Sequence, residues 1–547
     1  MQPIVTAAEM RALDRATSED IGIPAFTLME TAGRAVAECA LRVLGAPAPR
    51  APRAEASASR AAPAGAIAVR TGGRTSRATL AHAAVELLGG RGARVAVVCG
   101  PGNNGGDGFV AARVLRDRGA DATVYLAAAR TAIRGDARAH LEILERTGGV
   151  VRALETPAQL AELEVLVDGA DLVIDALFGI GVTRPIEGHL AGVIGVMNRA
   201  PRRLAVDLPS GLVADTSQAP GAVFDAHRTV TMGALKVALV SAPGFASCGE
   251  IEVADIGIPV GLFATTKPRA GLIERADGRG WLPRPAALDH KGTRGHVLVV
   301  GGSPGMRGAG RLSATSALRA GAGLVTLAAE PGDDFVAPDS VMTRAVTGAL
   351  ASMLEKKAAV VIGPGLGTGA VARSWLDEVR AAGLPTVLDA DALNLVASDP
   401  SVLASTTAPV VLTPHPGEAT RLLATTTSAI EADRFAAART LAEKTRAVVI
   451  LKGARTVICD GRDARAPLFC AVNPTGGPAL ATAGSGDVLA GAIGALLAQG
   501  LGAFEAACAA VYVHGLAGER LDAVHGRGAV SSDLPLAIAG VIAQLVA

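Results

Sequence analysis

The feature that most constrains this chain is a recurring unit: a short apolar run that ends in a turn of glycine, aspartate and small polar residues. Val95-Ala-Val-Val-Cys99 leads into Gly100-Pro-Gly-Asn-Asn-Gly-Gly-Asp-Gly108. Leu172-Val-Ile-Asp175 leads into Ala176-Leu-Phe-Gly-Ile-Gly181, and Leu204-Ala-Val-Asp207 into Leu208-Pro-Ser-Gly211. Apolar runs this short, bounded by turn residues, suit strands buried on both faces. Helical patterns at about Asp107–Arg118, Arg134–Thr147 and Ile186–Arg199 lie between them. That alternation specifies a parallel sheet covered by helices, with its ligand site beyond the carboxyl ends of the strands. All three polar clusters fall at those ends.

The unit then starts again. Strand patterns at Val297–Val300, Leu324–Ala328, Ala359–Ile362, Thr386–Asp389, Val410–Thr413 and Val448–Leu451 alternate with polar loops, and a helical pattern covers Ala309–Ala320. The last loops, Asn473-Pro-Thr-Gly476 and Ala483-Gly-Ser-Gly-Asp487, precede a long apolar run. A small-residue turn feeding a helix presents free N–H groups and the positive end of the helix dipole, which suits phosphate. An aspartate at its lip can take a proton from a hydroxyl that attacks phosphorus.

A chain of 547 residues exceeds one ordinary core, so two domains are expected, 1–265 and 275–547. Gly257-Ile-Pro259 closes the first, and Thr265 to Gly280 reads as a polar linker. Residues 45–75 are rich in Ala, Pro, Arg and Ser and read as a flexible insertion. Capping boxes at Thr6-Ala-Ala-Glu9 and Thr27-Leu-Met-Glu30 predict helices starting after Thr6 and Thr27. A net charge of +1 and 3% aromatic residues argue against nucleic acid and anionic membranes as partners. The run Val488–Phe504 carries four glycines and Gln499, and reads as a buried helix rather than a membrane span. The six cysteines form no C-x-x-C pair and read as reduced thiols of a cytoplasmic protein.

Gly100, Gly102 and Gly105 satisfy the dinucleotide fingerprint G-x-G-x-x-G, but the next strand pattern, Ala122–Leu126, ends in Ala127 and Arg130 without the acid that would hold a ribose. Asn103, Asn104 and Asp107 add side-chain oxygens that suit a cation or a polar substrate.

The stretches Gly100–Phe109, Asp175-Ala-Leu-Phe-Gly and Asp207-Leu-Pro-Ser-Gly211 resemble the NAD(P)H-hydrate epimerase family, the YjeF N-terminal domain. The resemblance implies K⁺ held by Asn104, Asp175 and Ser210. It also implies a hydrated nicotinamide nucleotide held by Asn103, Asn104, Gly105, Gly106 and Asp107, by Gly179, Ile180, Gly181, Val182, Thr183, Arg184 and Pro185, and by Asp207. Oxygen donors suit a hard cation. Epimerisation needs a proton removed and returned at the hydrated carbon, and Asp207 is the acid/base by position.

The second half resembles the ribokinase-like superfamily through its Gly-Ser-Gly-Asp487 turn. Thr413-Pro-His-Pro-Gly-Glu418, with His290-Lys-Gly, Gly363–Gly367, Asp389–Asn394 and Asn473–Gly476, narrows it to the NAD(P)H-hydrate dehydratase family. Gly477 and Ala483 depart from its usual asparagine and glycine. The resemblance implies an adenine nucleotide, ADP, held by Lys452, Gly453, Ala454, Arg455, Thr456 and Gly486, with Mg²⁺ near Glu418. It implies that Ala322, Gly367, His415 and Asp487 contact the hydrate, and that Asp487 is catalytic.

The fold expected is therefore α/β in two domains, each a mainly parallel sheet covered by helices, Rossmann-like then ribokinase-like. The function expected is repair of hydrated NADH and NADPH by a cytoplasmic homo-oligomer: epimerisation of the R and S hydrates, then ADP-driven dehydration of the S form. The alternatives are a hydroxymethylpyrimidine-type kinase and a non-catalytic N-terminal binding module.

Overall fold

The structure, a computed structural model, describes residues 1–45, 92–332, 336–463, 465 and 468–547. Most of the Ala/Pro/Arg-rich stretch expected as an insertion lies outside the described residues. The chain divides into two compact units, Pro3–Pro268 and Arg269–Ala547, the latter with Met1–Gln2.

In the first unit a short β1 (Gln2–Val5) precedes the helix Ala7–Arg15. The main sheet uses β2 (Arg94–Cys99), β3 (Asp121–Leu126), β4 (Val150–Ala153), β5 (Leu172–Ala176), β6 (Arg203–Val206) and β7 (Arg228–Met232). After β8 (Leu235–Lys236), β9 (Glu250–Ala254) completes it. Its order is β4-β3-β2-β5-β6-β7-β9, with every pair parallel. Strand order reverses between β2 and β5, so the crevice beyond their carboxyl ends is the topological switch point. Alternate residues of β2 feed two cores: Val95, Val97 and Cys99 pack under the helices Ala25–Gly45, Asn103–Asp117 and Gly135–Arg146. Ala96 and Val98 face the helices Pro157–Gly169 and Gly188–Met197.

The capping box at Thr6 forms: Glu9 N–H donates to Thr6 Oγ1 at 3.2 Å, and Thr6 N–H to Glu9 Oε2 at 2.7 Å. The one expected at Thr27 does not. That helix begins three residues earlier, at Ala25, after Pro24, whose carbonyl accepts from Thr27 and Leu28. Glu30 is thereby freed to take Arg113 at 2.6 Å and Arg34 at 2.7 Å.

In the second unit the strands are β10 (Ala270–Leu272), β11 (His296–Val300), β12 (Leu324–Ala329), β13 (Met342–Ala345), β14 (Ala359–Ile362), β15 (Thr386–Leu388), β16 (Val410–Leu412), β17 (Val448–Leu451), β18 (Val457–Asp460) and β19 (Cys470–Val472). They run β13-β12-β11-β14-β15-β16-β17-β18-β19-β10, and among the described residues antiparallel pairing occurs only where β18 meets β17 and β19. The polar-linker reading of 265–280 is corrected: 270–272 is a buried strand and Arg275–Trp281 a helix. One face of the sheet is covered by the helices Arg307–Arg319, Ser485–Ala498, Ala503–His525 and Leu534–Val546. The apolar run ends its first helix at Ala498, and Val488–Ala498 is buried throughout.

The reading of all six cysteines as thiols is also corrected. Cys459 and Cys470 stand opposite each other in the β18–β19 register and form a disulfide, with Cα atoms 4.6 Å apart. Cys39, Cys99, Cys248 and Cys508 are free and buried. Among the described residues no helix is long and apolar enough to cross a membrane.

Candidate active sites

At the switch point of the first unit the chain after β2 turns through Gly100–Gly102 into the helix Asn103–Asp117. A side chain at Gly105 would strike the Gly100 carbonyl, so glycine lets the helix start directly above the strand. A cavity of about 540 Å³ opens there, walled by Asn103, Asn104 and Asp107 from this turn and by Leu177–Gly181 after β5. Asp207 after β6, Lys236 of β8 and, from the N-terminal helix and the turn after it, Met10, Arg11, Asp14 and Ser18 complete its lining.

Asp207 has left the strand and holds φ at 64°, a left-handed conformation that a non-glycine residue adopts at a cost of ~1 kcal/mol or more. Its Oδ1 accepts from Lys236 Nζ at 2.5 Å, Thr231 Oγ1 at 3.1 Å and the Met232 amide at 3.2 Å. Its Oδ2 and Asn104 Oδ1 converge on the open side of Gly179, 3.1 and 3.2 Å from where a Cβ would sit. Burial pushes the Asp107 carboxyl well above the usual range, and the charges of Asp207 and Asp14 add to this against the Lys236 ammonium. Burial likewise raises Asp14 to about 6, with Lys236 opposing and Asp207 assisting. Behind the cavity wall Asp175 is fully buried, and burial brings it to about 6 despite hydrogen bonds from Ser210 Oγ at 2.6 Å and Ser210 N at 2.7 Å.

In the second unit the carboxyl ends of β14, β15, β16 and β17 gather another polar cluster. Asp389, 1% exposed, accepts from Thr413 Oγ1 at 2.6 Å and Lys452 Nζ at 3.1 Å. Lys452 Nζ also lies 3.9 Å from Glu418 Oε2 and 3.2 Å from where a Cβ on Gly486 would stand. Burial pulls the ammonium down, but Asp389, Glu418 and Asp487 outweigh it and hold it above the ordinary lysine value. Gly484 caps the helix Ser485–Ala498 at φ 90°; the Ser485 amide donates to Thr482 O at 3.3 Å, while Gly486 and Asp487 stand in the first turn, where amides lack an intrahelical acceptor. Burial, then Asp389, raise Asp487 to about 7; Lys452 opposes, and Asp391 and Glu418 add to the rise. The Gly367 amide donates to Asp391 Oδ2 at 2.8 Å, which joins the loop after β14 to the same edge.

A sequence model of the NAD(P)H-hydrate dehydratase family matches residues 297–539, and one described as the YjeF-related protein N-terminus matches residues 25–238. A bifunctional NAD(P)H-hydrate repair enzyme from Moorella thermoacetica is 41% identical over 96% of this chain and 94% of its own. The chain belongs to the family of bifunctional NAD(P)H-hydrate repair enzymes. Its relative of that name from Escherichia coli is 36% identical over 80% of this chain and 83% of its own. Among solved structures, an ADP/ATP-dependent NAD(P)H-hydrate dehydratase from Bacillus subtilis, co-crystallised with ATP and Mg²⁺, is 29% identical. It covers 50% of this chain and 97% of its own, with a TM-score of 0.44.

Within this repair enzyme the expected site residues fall into distinct groups. Asn103, Asn104, Asp107, Gly179, Ile180, Gly181 and Asp207 line the first cavity. Gly105 and Gly106 form the helix turn beneath it; Val182 is buried, while Thr183, Arg184 and Pro185 lie exposed along the following loop. Asp487, Gly486, Lys452, Glu418 and Asp389 assemble around the second anion turn. His415 caps the helix Pro416–Leu423 through Nδ1, which accepts from Gly417 N at 3.0 Å, and Glu418 Oε1 lies 3.6 Å from its Nε2. Arg455 holds φ at 58° and donates to Pro474 O at 2.9 Å, tying loop 452–456 to loop 473–476. Thr456 turns back to Gly453 O at 2.9 Å, with Ala454 between them.

Ala322 is not brought to this edge. Its amide donates to Ala317 O, and Gly323 follows against Arg294 and Gly295, at the amino ends of β11 and β12. Gln499, at the far end of the helix that Gly484 begins, donates to Ala320 O at 3.2 Å. Four charged residues of the first cavity were missed from sequence: Arg11, Asp14, Asp136 and Lys236. No motif spacing marks any of them: Lys236 meets Asp207 beside Thr231 and Met232 at the end of β7, and the β1–β8 pairing sets Val5, which leads into the helix bearing Asp14, opposite Lys236.

Proposed function

We propose that this chain repairs hydrated nicotinamide nucleotides with two activities: the first unit interconverts the R and S hydrates of NADH and NADPH, and the second dehydrates the S form at the expense of ADP. The observation that carries the reading is Asp487, a carboxylate with a proton affinity near neutrality, set between the Lys452–Asp389 pair and the open amides of an anion turn.

In the dehydratase, Asp487 takes the proton of the ring hydroxyl as its oxygen attacks the terminal phosphorus. The amides of Gly484 and Gly486, the helix dipole and the Lys452 ammonium stabilise the phosphoryl oxygens in flight. The C–O bond then breaks, phosphate leaves with the former hydroxyl oxygen, a ring proton is lost and the dihydronicotinamide double bond returns. AMP is the other product. Because phosphate is eliminated, the kinase-like turn serves a lyase.

Among the described residues no three His, Cys, Asp or Glu side chains converge on a metal site. Mg²⁺ would arrive with the nucleotide phosphates and meet one or two carboxylates, Glu418 among them. When bound, the ion would neutralise phosphate charge. In the first unit Asn104, Asp175 and Ser210 supply oxygens suited to K⁺, and a buried carboxylate raised to about 6 gains from a nearby cation. Potassium would there order the loops after β2, β5 and β6, while Asp207 serves as acid/base. We read the enzyme as a cytoplasmic homo-oligomer, a reading supported by its nucleotide substrates.

The test supplies mixed NADH hydrate epimers with ADP or ATP and follows dihydronicotinamide absorbance. Complete recovery faster than the spontaneous rate supports both activities. No recovery with either nucleotide sinks the dehydratase, and recovery that halts at one epimer sinks the epimerase.

A further inference from the structure

We infer that Asp14 is a second acid/base group of the epimerase, working on the face of the hydrated ring opposite Asp207. The inference rests on the epimerase reading of the first cavity. Asp14 lies one residue before the end of the helix Ala7–Arg15, which passes into a π turn, Ala16–Asp20, and it lines the cavity together with the charged residues Arg11, Asp107, Asp136, Asp207 and Lys236. Lys236 spends its three ammonium hydrogens on Asp207 Oδ1, Thr231 Oγ1 and the Met232 carbonyl, at 2.5, 2.9 and 2.8 Å. None reaches Asp14, whose carboxylate has no hydrogen bond or ion pair among the described residues. A half-buried carboxyl without a partner contributes nothing to the fold that an asparagine would not, so its place in the cavity wall is not explained by packing.

The chemistry asks for two such groups. Hydrating an enamine puts the hydroxyl on the carbon next to nitrogen, where no carbonyl acidifies the C–H bond, so the centre inverts most directly by exchanging that hydroxyl and not by the proton removal at carbon expected from sequence. The C–O bond breaks as the nitrogen lone pair forms a C=N⁺ bond, and a proton from the Asp14 carboxyl leaves with the oxygen as water. A water molecule then adds from the other face, its oxygen forming the new C–O bond and its proton passing to Asp207. The reverse reaction exchanges the roles, so one water enters and one leaves in either direction. The environments differ as the roles require: Asp207 is held by a buried ammonium, whereas Asp14 keeps its proton into the weakly acidic range.

Two measurements test this on the full chain. With mixed NADH hydrate epimers and ADP, Asp14→Asn is expected to slow the late, epimerase-limited phase at least 100-fold, while the early dehydratase phase and the Tm stay as in wild type. A late phase within threefold of wild type overturns the inference. Independently, wild-type turnover of the R epimer in ¹⁸O-labelled water without nucleotide is expected to label the hydroxyl at the rate of epimerisation. Epimerisation with the original oxygen retained overturns the inference whatever the variant does. If wild type shows no late phase above the spontaneous rate, the epimerase reading itself has failed.

Discussion

Lys236 Nζ sits 2.5 Å from Asp207 Oδ1, with the lysine side chain 1% exposed, and this ion pair fixes the carboxylate that faces Gly179 and Asn104. One partner comes from the turn after β6 and the other from β8. The pair therefore exists only when the sheet edge is assembled.

Removing the lysine leaves a buried charge without compensation. Lys236→Met is expected to cost about 3 kcal/mol, the usual price of orphaning one member of a buried pair. Adding Asp207→Asn should restore most of the Tm while leaving the epimerase phase dead. Urea melts of the single and double variants check this; equal melts for both would place the pair's role outside stability.

For Asp487, activity and stability should move in opposite directions. The base form is active, so dehydratase kcat/KM should rise with pH and level off above about 7. A carboxyl raised from 3.8 to about 7 on folding stabilises the fold while protonated. That contribution is full below the ordinary aspartate range and is lost as pH rises through about 7. Asp487→Asn should therefore abolish recovery, gain about 1 kcal/mol at about pH 8 after allowing for solvent screening, and gain almost nothing at about pH 4. Calorimetry at the two pH values decides it.

His514 lies buried in the helix Ala503–His525, and its Nε2 is 3.0 Å from Ser485 O, in the first turn of the anion helix. Burial pulls it down to about 4, so it is neutral at working pH and donates that hydrogen bond. His514→Leu should lower dehydratase kcat about tenfold and cost 1–2 kcal/mol, while His514→Gln recovers part of both. Steady-state kinetics with unchanged epimerase phases would show that the effect is local.

In buffer free of K⁺, the epimerase phase should slow and then recover when K⁺ is added back. Asp175→Asn should remove that response. An epimerase phase indifferent to K⁺ would mean that Asn104, Asp175 and Ser210 are a structural network.

Both sheets and the loops at their carboxyl edges were legible because each buried strand ends where glycine and aspartate take over, a local signal. The failures are tertiary. Thr27 satisfies a capping pattern, but Pro24 starts the helix first. Residues 270–272 look like linker because a three-residue strand is too short to show a period, and its pairing with β19 makes it one. Cys459 and Cys470 carry no motif and meet only through the β18–β19 register. Asp14 and Lys236 are lone charges whose meaning depends on Asp207, more than 25 residues away in the chain. Ala322 was carried to the site by resemblance alone, and the fold puts it at the opposite end of the strands.

The most direct measurement counts products while absorbance recovers from S-form NADH hydrate and ADP. Phosphate transfer followed by elimination gives one AMP and one free phosphate for each NADH regenerated. A stable phosphorylated hydrate, or AMP formed without recovered absorbance, would contradict it.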